Sequence, residues 1–324
     1  MKISVLGCGR WGSFIAWYLT QRGNHVTSWG RAGDASYEIL RTTGRNEYVA
    51  LDERITLTSD LEQAVTSAEI IVIAISAQGL REFMQRVIQY PVSEKVFVLC
   101  MKGIETGTGK RLSEILVESG ISPDKIAVWV GPGHIQSFVR GIPNCMVIDS
   151  ENRALKVELV ERFKSDLIRF YYGNDLLGTE IGAAAKNVMG IAAGVLDVVC
   201  VPLKGPLMSR GAREVARLIK AMGGNELSAY GLAHLGDYET TLFSRYSHNR
   251  MYGEMLAKGM RFEKLAEGVA TSKAMKLLGE KYGVELPITE AVYNVCYKEG
   301  DDAELCKQEI AKLFQRSTKA EMYE

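Results

Sequence analysis

The sequence predicts an α/β chain: a doubly wound, largely parallel sheet first, then an all-helical C-terminal domain. Three observations carry that expectation. Short β-rich runs alternate with helical stretches over the first half. Runs such as Ile70-Ile71-Val72-Ile73-Ala74-Ile75 are apolar throughout, as strands covered on both faces are, and strand signal fades from about Leu176 onward. Strands are expected at 3–6, 25–29, 70–75, 95–100, 125–130 and 145–148, with helices at 12–22, 61–67, 77–88 and 110–119. After Phe170-Tyr171-Tyr172-Gly173 helical patterns dominate, broken at Pro287 and at 299–302. The division this predicts is residues 1–175 and 176–324.

Composition bounds what such a chain can do. Its 324 residues suffice for two domains, each with its own core, and 47% hydrophobic with 24% charged residues is a globular balance. Lys+Arg and Asp+Glu stand at 39 each, so there is no basic field to attract nucleic acid, and an anionic ligand must be held by local groups. Six scattered cysteines without a Cys-x-x-Cys pair argue for a reduced compartment and against a metal site or a disulfide framework. Met1-Lys2 leads straight into a strand, and no run is expected to reach the roughly 18 apolar residues of a spanning helix. A cytoplasmic protein without membrane insertion follows as the expectation.

The first strand runs into Gly7-Cys8-Gly9-Arg10-Trp11-Gly12, a G-x-G-x-x-G turn that opens a helix. The first glycine permits the tight turn, the second lets a pyrophosphate approach the backbone, and the third lets helix and strand pack closely. The helix N-terminus then meets the negative charge. This is a Rossmann-type dinucleotide site, with Gly7, Gly9, Arg10, Trp11 and Gly12 as cofactor residues. At the end of the second strand Ser28-Trp29-Gly30-Arg31 offers no acid, whereas Arg31 suits the 2′-phosphate of NADP; Asp34 nearby keeps NAD open.

The predicted helix 179–199 is apolar yet carries Lys186 at its middle. Gly182, Lys186, Gly190 and Gly194 share one face, and each glycine costs about 1 kcal/mol relative to alanine inside a helix. Either another helix or a cofactor with substrate must pack there. A buried lysine is expensive unless paired or used, and desolvation moves its pKa toward the range of a general base. Asn187 stands beside it as an amide donor or acceptor. Lys102 follows a strand directly, at the carboxyl edge where doubly wound sheets bind ligands, and its charge near Lys186 would lower that pKa further. His25 and His234 read as structural.

Several segments carry a family pattern: the glycine turn with Trp11, Lys102-Gly103-Ile104, Gly131-Pro132-Gly133 and Ala185-Lys186-Asn187. Gly231-Leu232-Ala233-His234-Leu235-Gly236-Asp237, Ser247-His248-Asn249-Arg250 and Glu267-Gly268 follow in the same order. Together they resemble the NAD(P)-dependent glycerol-3-phosphate dehydrogenases over nearly the whole chain. The resemblance implies hydride exchange between a nicotinamide (NADP or NAD) and C2 of glycerol 3-phosphate, with dihydroxyacetone phosphate as the ketone, a phosphorylated triose or polyol chemistry that supplies the phospholipid backbone. Lys186 would be the acid/base, with Lys102 polarising substrate and Asp237 positioning lysine or substrate. Gly131, Gly133, Asn187, Ser247, His248, Asn249 and Arg250 would line the substrate site. Lys102, Ile135, His248 and Glu267 would also meet the cofactor, Glu267 near the nicotinamide. A homodimer is left open.

The chain departs from that pattern in places. His248 stands where the family has an arginine that bridges substrate phosphate and cofactor, and imidazole cannot reproduce its bidentate fork. Gly133 and Gln136 replace a hydroxyl residue and an acid, Arg10 replaces a small residue, and the loop after Asp197 is shorter. Three readings stay open: an ordinary member in which Arg250, Arg245 or Lys204 supplies the charge, a relative acting on another ketone, or a cofactor-binding sensor.

Overall fold

The computed structural model describes residues 1–298, 302–318 and 320. Its eight strands are β1 (Lys2–Leu6), β2 (His25–Trp29), β3 (Thr56–Thr58), β4 (Ile70–Ile73), β5 (Val96–Leu99), β6 (Ile126–Val130), β7 (Asn144–Asp149) and β8 (Ile168–Tyr172). They form one sheet in the order β3-β2-β1-β4-β5-β6-β7-β8, parallel everywhere except between β6 and β7. The helices among them are α1 (Arg10–Gln21), α2 (Ala35–Thr43), α3 (Leu61–Thr66), α4 (Leu80–Val87), α5 (Leu112–Glu118), α6 (Ile135–Phe138) and α7 (Arg153–Phe163). Beyond the sheet lie α8 (Leu176–Val199), α9 (Lys204–Ala221), α10 (His248–Ala257), α11 (Glu267–Tyr282), α12 (Pro287–Tyr297) and α13 (Asp302–Phe314).

The apolar runs behave as strands buried on both faces. In β4, Ile70 and Val72 join the core that holds Phe14, Tyr18 and Trp129, while Ile71 and Ile73 join the one that holds Phe83, Leu116 and Ile121. The six expected strands are all present, but β3 and β8 were not foreseen. β3 is a three-residue polar edge piece, and β8 alternates buried and exposed residues at the opposite edge. The helices α2, α6 and α7 were likewise unforeseen. Pro287 opens α12 at a position where its missing N–H costs nothing. Of the break expected at 299–302, residues 299–301 lie outside the described residues, and Asp302 begins α13.

α8 corrects one expectation and decides between the two alternatives of another. It is long and apolar enough to cross a membrane, yet 83% of its most apolar window is buried inside the protein, as the central helix of the second half. Its glycine stripe also serves protein packing. A Cβ on Gly194 would lie 1.9 Å from the Arg250 carbonyl oxygen, and one on Gly190 would lie 2.8 Å from Thr241 Cγ2. Gly253 of α10 returns the contact, its Cβ position 2.1 Å from the Ile191 oxygen. α8 and α10 thus meet backbone to backbone. At its other end α8 is tied to the sheet half: Glu180 accepts from Arg111 Nη1 (2.8 Å) and from the Ser113 N–H (2.9 Å) at the start of α5. Asp197 is still inside α8, and the segment after it is a single 3₁₀ turn, Val201–Leu203.

Candidate active site

The glycine turn leaves β1 at the carboxyl edge of the sheet. Gly7 adopts φ +113°, and a Cβ there would lie 2.4 Å from the Ala74 oxygen; a Cβ on Gly12 would lie 1.8 Å from the Gly7 oxygen. Protein packing therefore demands both glycines. Gly9 is different. Its φ of −70° suits any residue, and a Cβ there meets nothing within 4 Å. What needs that space is a group outside the protein, and the first turn of α1 aims its N–H groups into it. The cradle fits a dinucleotide pyrophosphate. Trp11 packs on Phe14 and Phe138 (ring centroids 5.2 and 6.5 Å apart) and stiffens the turn. Arg31 lies exposed beyond β2, 4.0 Å from the Asp34 carboxylate. Ile135 is 1% exposed in the core, so any contact it makes with a cofactor is through its backbone.

Across the cleft, Lys186 of α8 is buried, with Nζ 2.9 Å from Asp237 Oδ2 and donating to Thr241 Oγ1 at 2.8 Å. Lys102, just past β5, reaches the same Asp237 oxygen at 2.7 Å and donates to the Gly131 carbonyl at 2.7 Å. The Thr240 hydroxyl donates to the other carboxylate oxygen of Asp237. Asp237 ends a 3₁₀ turn (Leu235–Asp237), and a wide π-helical turn (Glu239–Phe243) follows it. That wide turn brings two successive threonines onto the lysine–aspartate pair, a use of π geometry common at functional sites.

The electrostatics follow from burial. Desolvation pulls Lys186 down to about 8; Asp237 acts to raise it and Lys102 to lower it. Burial pushes Asp237 upward, but the two lysines outweigh it and hold the carboxyl below its ordinary value. The result is an ammonium that can give up its proton near neutral pH, beside a carboxylate that stays charged.

An amide ladder fixes this group in place. Asn187 Nδ2 donates to the Lys102 carbonyl (3.1 Å), Asn249 Nδ2 donates to Asn187 Oδ1 (3.0 Å), and the Gly268 N–H donates to Asn249 Oδ1 (2.9 Å). A Cβ on Gly268 would lie 2.5 Å from the Asn187 oxygen, so α11 must carry glycine to come this close. Asn187 and Asn249, both expected on substrate, thus tie α8, α10 and α11 to Lys102. Glu267 opens α11, where its Oε1 accepts from Ser76 Oγ (3.3 Å) just past β4; its Oε2 is buried without a partner, and burial raises its pKa.

The remaining expected residues sit at the mouth of the cleft. Ser247 caps α10, its Oγ accepting from the Arg250 N–H at 3.3 Å. His248 is the first residue of that helix, its Nδ1 3.3 Å from the Leu265 oxygen, and partial burial lowers its pKa. Gly133 adopts φ +157°, and a Cβ there would strike the Phe138 ring at 2.4 Å. Two of the cations expected to replace the family arginine are already neutralised. Asp197 holds both Lys204 and Arg250, the latter at 2.8 Å, and Glu254 lies 3.4 Å from Arg250 as well. Arg245 is exposed and lies over the Tyr246 ring, 5.1 Å from its centroid. Sequence reasoning missed Thr240, Thr241, Ser76 and Tyr246. Only the Thr240-Thr241 pair close behind Asp237 could have signalled them.

The chain is similar to known proteins over its whole length. The model of the NAD-dependent glycerol-3-phosphate dehydrogenase N-terminus matches residues 2–156, and that of its C-terminus matches residues 175–307. Proteins named glycerol-3-phosphate dehydrogenase (NAD(P)+) align end to end. The one from Prosthecochloris aestuarii is 34% identical, covering 99% of this chain and 100% of its own. The one from Thermoanaerobacter sp. is also 34% identical, covering 100% and 99%. Among solved structures, a glycerol-3-phosphate dehydrogenase from Coxiella burnetii superposes with a TM-score of 0.89 at 25% identity, over 97% of this chain and 99% of that one. A ketopantoate reductase from Ralstonia eutropha shares the fold alone, with a TM-score of 0.63 at 14% identity over 96% and 100%.

Proposed function

The chain belongs to the NAD-dependent glycerol-3-phosphate dehydrogenase family, and from that premise we propose that Lys186, held by Asp237 and Lys102, is the acid–base group of its reaction. The enzyme interconverts dihydroxyacetone phosphate and sn-glycerol 3-phosphate with NAD(P)H, the chemistry that supplies the glycerol backbone of phospholipids. One observation carries the assignment of roles: a buried ammonium with a pKa lowered to about 8, facing the carboxyl edge of a dinucleotide-binding sheet.

A nicotinamide dinucleotide held on the Gly7–Gly12 turn would supply hydride to C2 of the ketone, or accept it from the alcohol. In reduction Lys186 Nζ donates a proton to the C2 oxygen as that oxygen gains charge; in oxidation the neutral amine takes the hydroxyl proton back. Asp237 keeps the ammonium aimed and stabilises it, and the Thr241 hydroxyl fixes a second direction, which leaves the third N–H for substrate. Lys102, anchored on the Gly131 carbonyl, polarises the carbonyl from the other side. Residues 1–175 hold the cofactor on the glycine turn, with Arg31 at the ribose and Glu267 near the nicotinamide; residues 176–324 supply the reacting lysine. Enclosure of α8 and six free cysteines support a protein working in the cytoplasm.

A spectrophotometric assay of NAD(P)H oxidation against a panel of ketone phosphates and keto acids tests the reading. Turnover confined to dihydroxyacetone phosphate is expected. Turnover of a keto acid, with silence on the triose phosphate, would overturn it.

A further inference from the structure

The substrate carries a phosphate dianion one carbon from the reacting carbonyl, so a cation must stand beside the lysine pair without being already neutralised. Lys102 and Lys186 are spent on Asp237, and Arg250 and Lys204 on Asp197. Lys264, which acts on His248 from outside, lies on the exposed segment before α11. Arg10 remains. It is half-buried at the first position of α1, and among the described residues no carboxylate lies within ion-pair distance of it. Its guanidinium makes one long hydrogen bond across the cleft, from Nη1 to the Tyr246 oxygen at 3.4 Å, and covers the Tyr48 ring at 5.5 Å from its centroid.

The surroundings of Arg10 join it to the reacting end. His134 packs edge-on against Tyr246 (5.5 Å between centroids), and its Nε2 is buried with no hydrogen-bond partner. Burial pulls His134 down to about 4, and the charges of Arg10, Lys186 and Lys102 all act in the same direction. His134 therefore feels the guanidinium and both lysines, with Asp237 acting the other way. Arg10 acts likewise on His248, at the first turn of α10. Two imidazoles and a guanidinium without an ion-pair partner thus lie within electrostatic reach of one another, and His134 lies within reach of Lys186 as well.

We propose that Arg10, from the cofactor turn, is the residue that binds the substrate phosphate, with His248 and His134 as neutral hydrogen-bonding partners. This rests on the reading of the substrate as dihydroxyacetone phosphate. Because Arg10 belongs to the sheet half and Tyr246 and His248 to the helical half, phosphate binding there draws the two halves together over the reacting carbon. The glycine turn then serves both ligands: its backbone holds the cofactor and its one charged side chain holds the substrate.

Steady-state kinetics with wild type, Arg10→Ala, Arg10→Lys and the double variant Arg10→Ala/His248→Arg test this. Turnover of phosphate-free dihydroxyacetone and NADPH affinity by fluorescence are measured alongside. Arg10→Ala is expected to raise KM for dihydroxyacetone phosphate about thirtyfold, the loss of one charged hydrogen-bonding group. Because Arg10 also borders the cofactor turn, NADPH affinity and turnover of the phosphate-free ketone should fall too, but several-fold less than KM for dihydroxyacetone phosphate rises. Arg10→Lys keeps the charge but loses the fork, so an intermediate KM is expected. The double variant restores a guanidinium from the helical half and should recover most of the loss. An unchanged KM in Arg10→Ala, an equal loss of NADPH affinity, or no recovery in the double variant would overturn the proposal. A wild type inactive on dihydroxyacetone phosphate would instead overturn the substrate reading beneath it.

Discussion

The two ends of the cleft are built in opposite ways. At the reacting end, both carboxylate oxygens of Asp237 are engaged, Lys186 and Lys102 each hold two partners, and three helices are tied in by an amide ladder. At the phosphate end, His134 Nε2 has no partner, Arg10 makes one long hydrogen bond, and His248 makes one contact to a loop carbonyl. The first end is pre-organised, so that proton transfer needs no rearrangement; the second keeps its donors for a ligand. The reaction type is therefore written into bonds the protein makes with itself, and the substrate into bonds it leaves unmade.

Breaking the reacting end has the largest expected effect. Lys186→Ala should lower kcat by about 10³-fold while NAD(P)H affinity stays within about twofold, because the lysine meets the substrate oxygen and not the dinucleotide. Normal turnover by this variant, measured by stopped-flow oxidation of NADPH, would move the acid–base role elsewhere.

Two glycines sharpen the contrast between space kept for a ligand and space kept for packing. Gly194→Ala forces a Cβ to 1.9 Å from the Arg250 oxygen and should destabilise the fold by about 2 kcal/mol, read from denaturant unfolding. Gly9→Ala meets no protein atom within 4 Å, so unfolding should be unchanged while cofactor Kd rises about tenfold. Equal effects on stability would mean that Gly9 is a packing glycine after all.

The same contrast explains what could be read from the sequence. The glycine turn, the doubly apolar strands and Lys186 on its glycine-lined helix are local signals, and each reappears in the structure with its expected neighbours. β3 and β8 escaped because edge strands carry little or half of the apolar pattern. The stripe on α8 was legible as crowding, but its cause, the backbone of α10, lies about 60 residues onward. Asn187 and Asn249 read as ligand-binding amides, yet they bond one another across helices, a pairing no spacing rule reports. Arg10 and His248 stand 238 residues apart, and only the fold brings the guanidinium within electrostatic reach of the imidazole.

Lys186, the proposed proton carrier, is charged below about pH 8, where burial lowers its pKa and Asp237 raises it. Reduction needs the ammonium, so kcat for ketone reduction should be level at lower pH and fall as pH rises through about 8, whereas oxidation should rise over the same range. Asp237→Asn removes the charge that raises this pKa and leaves the one on Lys102 that lowers it. The most direct test is therefore the pH profile of ketone reduction in wild type and Asp237→Asn, side by side. The falling limb should move to lower pH in the variant by about one unit; a limb that stays in place in both would contradict Lys186 as the titrating group.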